Sequence, residues 1–461
     1  MRVLLIQPDQ KRSLGLYQIA RIEPLGLEMV AGALKERHEV DIVDLRMAPK
    51  TLEASLGDFK PDLVGISSSF TVDIYETLRV AETVRAANPR AFVFVGGHHP
   101  SLYPSDFKHP AVDAIVVGEG EITTRELVDC LAEDMDVTNV PGLVLNWPDE
   151  QQATGPRGLI SDLDDLPHPE RSLTRSYGQA YRVGLSGPVA AVETARGCPF
   201  NCNFCSVWRF YQGRIRFKTA ERVVQELEDV EEPAVLFTDD NFLVTVPRAL
   251  EIARLIEERG IRKHYIMQAR SDAIARHPEV IERWVNIGLT DVFIGFETAN
   301  QAELDSVNKH NSAENNERAL AVLRDHGLEP IVSFIVHPDY THQDFDSLKA
   351  YVRQLELAQA MYSILTPLPG TDLFEELRDQ LIMTNYELWD LMHAVLPTRL
   401  PIREFYAEFA DLFRLTYPRW KVMLGGLYLA WRRLRQGREA GEVQILRQVI
   451  RLQKPSSYLE T

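Results

Sequence analysis

Short apolar runs alternate with amphipathic ones along most of the chain. In the first third, Val3 to Ile6, Val40 to Val43, Leu63 to Ser67, Phe92 to Val95 and Ala114 to Val117 are apolar runs of strand length, bounded by turn-forming residues. Between them, Leu25 to Glu36, Val72 to Ala87 and Glu121 to Glu133 repeat apolar positions at helical spacing. This order predicts an α/β unit over residues 1–145, a doubly wound parallel sheet with ligand sites at the carboxyl ends of its strands.

The pattern breaks at 146–187, where turn formers such as Gly155-Pro156 and Leu166-Pro167-His168-Pro169 predict a linker. It resumes over 188–400. Strands are expected at Val189 to Thr194, Ala234 to Thr238, Tyr265 to Ala269, Val292 to Phe296, Ile331 to Val336 and Met361 to Thr366. Helices are expected between them at 220–230, 247–259, 278–287, 315–326 and 341–357. Such units form an open or closed barrel with its site at the strand ends. Residues 401–461 read as a helical C-terminal region.

The chain has 461 residues, 50 basic and 67 acidic, for a net charge of -17, which argues against a nucleic-acid partner. The first apolar run is too short for a secretory leader and none reaches membrane-spanning length, so a cytoplasmic location is expected. The C-terminal region departs from the acidic balance. Arg419, Lys421, Arg432, Arg433, Arg435 and Arg438 flank the apolar run Val422 to Trp431, with no acidic residue among them. Such a helix suits a membrane interface, as peripheral contact on the inner face, or a docking site on the barrel; both readings stay open.

Three of the four cysteines, Cys198, Cys202 and Cys205, stand within eight residues as C-x3-C-x2-C. A structural zinc site needs a fourth ligand, and Cys130 lies far upstream on an expected helix. Disulfides do not suit four cysteines in a chain of this type. Three thiolates on one tight loop can instead hold three corners of a 4Fe-4S cluster and leave the fourth iron open. In the first unit the strand ends carry Ser67-Ser68-Ser69, Gly96-Gly97-His98-His99 and Gly118-Glu119-Gly120-Glu121. Small residues there admit a ligand close to the backbone, or serve only the fold. The dinucleotide fingerprint G-x-G-x-x-G is missing after the first strand.

The cysteine spacing, with Phe204 just before the last cysteine, resembles the radical S-adenosylmethionine (SAM) family. The resemblance implies a partial (β/α)6 barrel, a 4Fe-4S cluster on Cys198, Cys202 and Cys205, and reductive cleavage of SAM to a 5'-deoxyadenosyl radical. It places SAM contacts at Phe204, Asp239, Asp240, Asn241, Arg270, Glu297 and Pro367. For Arg270 and Glu297 an ion pair of the barrel rim is the alternative. Val336-His337-Pro338-Asp339-Tyr340-Thr341 departs from the family's G-x-P-G-E-T turn.

The first unit resembles the Rossmann-like cobalamin-binding domain that precedes many radical SAM barrels. That implies cobalamin, as methylcobalamin, on Ser67, Ser68, Ser69, Gly96, Gly97, His98, Gly118, Glu119 and Gly120, with His99 a further candidate. Asp9-Gln10-Lys11-Arg12-Ser13 stands where related domains carry D-x-H-x-x-G, so no histidine is expected beneath the cobalt. Length, domain order and the basic, aromatic C-terminal helix look most like hopanoid C-3 methylases. The resemblance then implies methylation of an unactivated carbon in ring A of a lipid, driven by an external flavodoxin- or ferredoxin-type electron donor. A non-methylating radical reaction such as oxidative cyclisation, or a cobalamin- or redox-sensing module, are the alternatives.

Overall fold

A computed structural model describes residues 1–9, 14–15, 20–47, 51–184, 186–436 and 440–459, with backbone alone for 428–436 and 440–443. Residues 10–13, expected to lack a cobalt ligand, lie outside the described residues, as does Arg438.

The N-terminal sheet holds β1 (Arg2–Gln7), β2 (Glu39–Asp44), β3 (Leu63–Ser67), β4 (Phe92–Gly96), β5 (Ala114–Val116), β6 (Leu143–Asn146) and β7 (Gln151–Ala153). Their spatial order is β2-β1-β3-β4-β5-β6-β7, parallel through β5 and antiparallel in the last two pairs. Helices α1 (Leu25–Leu34), α2 (Leu52–Phe59), α3 (Ile74–Ala87) and α4 (Gly120–Ala132) accompany the parallel part. Apolar clusters lie on both faces of the sheet, one including Leu4, Ile6 and Val64, the other Val3, Leu5 and Leu63. That two-sided burial is why β1 reads as an unbroken apolar run. The sheet continues through β7, past the expected boundary at 145, because the turn formers after Asn146 make a hairpin rather than leave the sheet.

The second unit is an all-parallel sheet of six strands in sequence order: β8 (Val189–Val192), β9 (Ala234–Phe237), β10 (His264–Gln268), β11 (Leu289–Glu297), β12 (Ile331–Val336) and β13 (Ala360–Ile364). Among the described residues β8 and β13 do not pair, so the barrel is partial. Helices α5 (Ala220–Asp229), α6 (Val246–Glu258), α7 (Pro278–Ile287), α8 (Ala313–Asp325) and α9 (His342–Gln354) follow the first five strands. Their apolar stripes join the barrel core around Trp284, Phe237, Phe334 and Phe345. Three helices complete the chain: α10 (Ile402–Thr416), α11 (Arg419–Gln436) and α12 (Ala440–Leu452). The first packs Phe405, Phe409 and Phe413 into the same core.

The 146–187 connector is not a free linker. Arg171 reaches Glu23 of the first unit, Glu226 of α5 and the carbonyl of Ala191 on β8. The carboxyl ends of both sheets border one cleft, with Gln7 and Ser67 on one side and Glu193 and Thr238 on the other.

Candidate active site

The cysteine loop is set by the two strands beneath it. β8 is followed by Glu193 and Thr194, and the Asp239 carboxylate just past the end of β9 accepts from the Thr194 amide (2.6 Å), the Ala195 amide (3.1 Å) and the Thr194 hydroxyl. Asp239 is buried, which pushes its pKa up to about 6, while Thr194 pulls the other way. These three donors make Asp239 a brace for the start of the loop.

Ala195–Arg196 pairs antiparallel with Arg216–Phe217 and closes the base of the loop. Gly197 follows with φ +94°, and a Cβ there would stand 2.2 Å from the Arg214 carbonyl oxygen, so only glycine makes this turn. Cys202 is buried and Cys198 and Cys205 are half-buried. The Cys205 amide donates to the Cys202 carbonyl (3.1 Å). Burial pushes the Cys205 thiol up to about 12, and the charges of Asp240, Cys202 and Cys198 add to it. The thiols of Cys198 and Cys202 are likewise raised by burial. A bound iron centre would hold them as thiolates. Among the described residues no three His, Cys, Asp or Glu side chains already form a metal cage. The fit to a 4Fe-4S cluster rests on the soft donor set gathered on one loop.

The expected SAM positions divide into two groups. Phe204 and Glu297 line a barrel cavity of about 250 Å³ with Ile335, Met361, Thr366 and Leu368; Pro367 is buried between the last two. Glu297 has a left-handed backbone (φ +62°) and pairs with Lys309, an outlier of the kind that clusters at ligand sites. At the end of β9, Asn241 keeps a buried Oδ1 without a partner, an acceptor suited to an ammonium group. Beside it Asp240 is solvent-accessible, yet the surrounding protein, Asp239 and Glu193 push its pKa up to about 7. Arg270 belongs to neither group. It donates to the carbonyls of Lys309 and His310 (both 2.9 Å) and to Asp272, and stacks 3.6 Å from the Phe200 ring centroid. This is a rim ion pair that braces the cysteine loop.

In the first unit, Ser67, Ser69, Gly96, Gly97, His98, Gly118, Glu119 and Gly120 all border one cavity of about 250 Å³. A second cavity, about 310 Å³, shares Gly26, Leu27, Ser67, Ser69, Glu193 and Arg196 with it and extends to Thr238 on the barrel. Gly97 has φ +127°, and a Cβ would stand 2.6 Å from the Ser68 carbonyl oxygen. These joined cavities, floored by the small residues Ser67, Ser69, Gly96, Gly97, Gly118 and Gly120 at the strand ends and rimmed by larger side chains such as Phe210 and Tyr211, suit a broad ligand with a tail inserted beside the sheet. The residues present fit a corrin.

Ser68, Glu119 and His99 stand apart from the other expected contacts. Ser68 is fully buried and borders neither cavity, because alternate residues at a strand end face opposite ways. Glu119 is engaged by Arg216 and Arg196 and by the Ile160 amide; burial alone would raise its pKa, but the two arginines hold it below the usual range. His99 is a structural histidine, between the Thr71 hydroxyl (3.1 Å) and Asp106 (2.9 Å). His98 does border the cavity, with Nε2 2.7 Å from the Ser206 hydroxyl and its ring stacked on Phe210. Burial, then His99, lowers its pKa to about 4, so it is neutral.

Glu23 lies in Glu23-Pro24-Leu25-Gly26-Leu27, part of the resemblance to the cobalamin domain, but its contact with β8 is not legible there, and the sequence suggests no role for Thr194, Arg171, Lys309 or Arg196. An arginine and a glutamate at the mouth of an apolar strand are themselves a signal of paired burial.

The B12-binding domain model matches residues 20–128 and the Radical SAM superfamily model residues 192–352. The hopanoid C-3 methylase of Methylococcus capsulatus is 32% identical over 90% of this chain and 80% of that protein. The anaerobic magnesium-protoporphyrin IX monomethyl ester cyclase of Rubrivivax gelatinosus is 29% identical over 86% of this chain and 73% of that protein. The solved structure of the radical SAM methyltransferase TsrM from Kitasatospora setae shares the fold, with a TM-score of 0.72 at 18% identity over 91% of this chain and 90% of that one. A cobalamin cleft opposed to a three-cysteine barrel, matched along nearly its whole length, means that the chain belongs to the cobalamin-dependent radical SAM methyltransferase family, whose cofactors are a 4Fe-4S cluster, SAM and cobalamin.

Proposed function

We propose that the protein methylates an unactivated carbon of an apolar polycyclic lipid, C-3 in ring A of a hopanoid. The similarity to the hopanoid C-3 methylase over 90% of the chain carries this reading. The apolar part of the barrel-cavity wall, Phe293, Ile335, Met361, Leu365 and Met392, supports it as the side left to the lipid, with Phe204, Glu297 and the Thr366–Leu368 turn of the same cavity left to SAM. An apolar wall of this kind admits a hydrocarbon edge and excludes water.

Cys198, Cys202 and Cys205 hold the cluster, Asp240 and Asn241 receive the SAM amino end, and Phe204, Glu297 and the Thr366–Leu368 turn receive its nucleoside end. Ser67, Ser69, Gly96, Gly97, His98, Gly118 and Gly120 cradle cobalamin across the cleft. When bound, these cofactors supply hydrogen abstraction from an unactivated C–H bond and a transferable methyl group, which side chains cannot supply. The protein's part is to keep the two cofactors opposed and the lipid edge dry between them. Electrons come from an external flavodoxin- or ferredoxin-type donor.

Contact with the membrane surface belongs to the same reading. On α11 the exposed residues Trp420, Met423, Leu424 and Leu427 recur at helical spacing, forming one apolar face. Residues 419–438 hold six basic and no acidic residues in a chain of net charge -17, so an anionic lipid surface is the matching partner. Among the described residues no helix is long and apolar enough to cross a membrane. The side chains of Arg432, Arg433 and Arg435 lie outside the described residues.

The test is reconstituted protein with SAM, a strong reductant and hopanoid in vesicles, followed by lipid mass analysis; a C-3-methylated product is expected. The similarity to the cyclase gives the second reading some weight. Turnover that released deoxyadenosine without a methylated lipid would favour it.

A further inference from the structure

We infer that Arg196 is a positioning residue, through which the cobalamin domain sets the geometry of the cysteine loop. Arg196 is 5% exposed and uses all three guanidinium nitrogens on carboxylates: Nε on Glu193 (2.8 Å), Nη1 on Glu119 (2.8 Å) and Nη2 on Glu121 (2.5 Å). Glu119 and Glu121 belong to the cobalamin domain, between β5 and the first turn of α4. Glu119 also takes Arg216, which is the ladder partner of Arg196 (2.8 Å). Both strands at the base of the loop are therefore held by one pair of carboxylates from the other domain.

The far end of the loop is held similarly. Ser206, next to Cys205, meets His98 at 2.7 Å, and His98 stands at the end of β4. Only Gly197 separates Arg196 from Cys198, so a displacement of the guanidinium reaches the first cluster ligand through two peptide units. Arg196 and Glu193 border both halves of the cobalamin cleft. A barrel that needed only a stable loop could close it within its own domain. Here the loop is registered against the opposite wall of the cleft, which fixes the spacing of the two cofactors. Buried ion pairs contribute little net stability but constrain geometry, as a spacing device requires.

The test uses holoenzyme carrying cluster and cob(II)alamin. Its main readout is the relaxation enhancement that the reduced cluster imparts to the cob(II)alamin EPR signal. This readout needs no substrate, so its outcome is independent of the hopanoid assignment. Wild type should show one homogeneous enhancement. Arg196→Met should retain iron and cobalamin but give a weaker, heterogeneous enhancement, and SAM cleaved per methyl transferred should rise several-fold. Arg196→Lys, which can keep one carboxylate, should recover part of both. An Arg196→Met protein with wild-type enhancement and coupling would overturn the inference. Should that variant fail to load its cofactors, Glu121→Leu, which removes the Nη2 acceptor and leaves Arg196 on Glu119 and Glu193, carries the same test with the same two outcomes.

Discussion

The Glu23 carboxylate accepts the Ala191 amide at 2.6 Å, so a side chain from the cobalamin domain completes the hydrogen bonding of the first barrel strand. The same oxygen takes Arg171, which continues to Glu226 and the Ala191 carbonyl. The two units are thus joined by a buried network as well as by chain. Glu23→Ala would leave an arginine and a strand amide without their acceptor. Removing one partner of a buried pair costs about 3–5 kcal/mol. A loss of that order in denaturant unfolding of the apo-protein is expected, and a loss below about 1 kcal/mol, the scale of an exposed pair, would make the contact peripheral.

A neighbour of that network gives a pH dependence. Glu28 is fully buried and is faced by Glu23, Arg171, Glu232 and Thr174, with Glu226 on the far side of Arg171. Burial, then Glu23, raises its pKa to about 8. Arg171 stands closer to Glu23 and Glu226 than to Glu28, which it meets only at 3.6 Å, so Glu28 is the carboxylate least offset by a cation. Because the folded chain binds the Glu28 proton and the unfolded chain releases it near 4.5, stability from Glu28 falls as pH rises from that value towards 8. Glu28→Gln should flatten the unfolding free energy across this window. Equal slopes for wild type and variant would place the proton elsewhere.

Anaerobic reconstitution should give about four iron and four sulfide per chain. Changing Cys198, Cys202 and Cys205 together to Ala should abolish this. A sharper probe is Gly197→Ala, which keeps every ligand but places a Cβ against the Arg214 carbonyl at positive φ. Such strain costs about 1–3 kcal/mol. Iron content should fall markedly while the far-ultraviolet dichroism of the barrel persists. Full iron loading in Gly197→Ala would mean that the turn relaxes.

Cobalamin retention separates neighbouring serines. Ser67→Leu should crowd both cavities and lower the cobalamin retained after gel filtration, from roughly one equivalent expected of a single strand-end site. Ser68→Ala, at a buried position bordering neither, should leave it unchanged. The reverse pattern would move the site to the other face of the sheet.

Much of this architecture is legible in the sequence because buried parallel strands must be apolar and must alternate with amphipathic helices. Residues 292–296 and 331–336 could be read as strands, and 278–287 as a helix, without any tertiary information. What was not legible are contacts between residues far apart in the chain. Asp239 looks like a ligand at a strand end until Thr194, 45 residues earlier, is seen to occupy it. Arg270 and Glu119 look available for the same reason. Charge and strand-end position are local properties, whereas the partner that consumes a charge is set by packing: the start of the cysteine loop on Asp239, residues 309–310 on Arg270, and the loop base of the barrel against Glu119 of the cobalamin domain.

The C-terminal helix gives the last prediction. The apolar face of α11 is exposed at Trp420 (58%), Met423 (66%), Leu424 (55%) and Leu427 (60%), whereas α10 buries its own. A helix packed only for stability would not leave four large side chains in water. Insertion at a lipid surface would bury them, and each basic residue near an anionic surface adds about 1 kcal/mol. The protein should co-sediment with anionic vesicles at low salt and release as salt screens the attraction. Leu424→Glu with Leu427→Glu should abolish binding at all salt concentrations, because it removes the inserted area. Arg432→Glu, Arg433→Glu and Arg435→Glu together should abolish the salt-dependent part. Iron and cobalamin content should be unchanged in both, and methylation of vesicle-embedded lipid should fall much more than uncoupled SAM cleavage, since delivery fails and radical generation does not. Vesicle binding absent in wild type would make the α11 face a contact for another protein and would remove one support of the lipid reading, leaving the cavity wall and the methylase similarity to carry it.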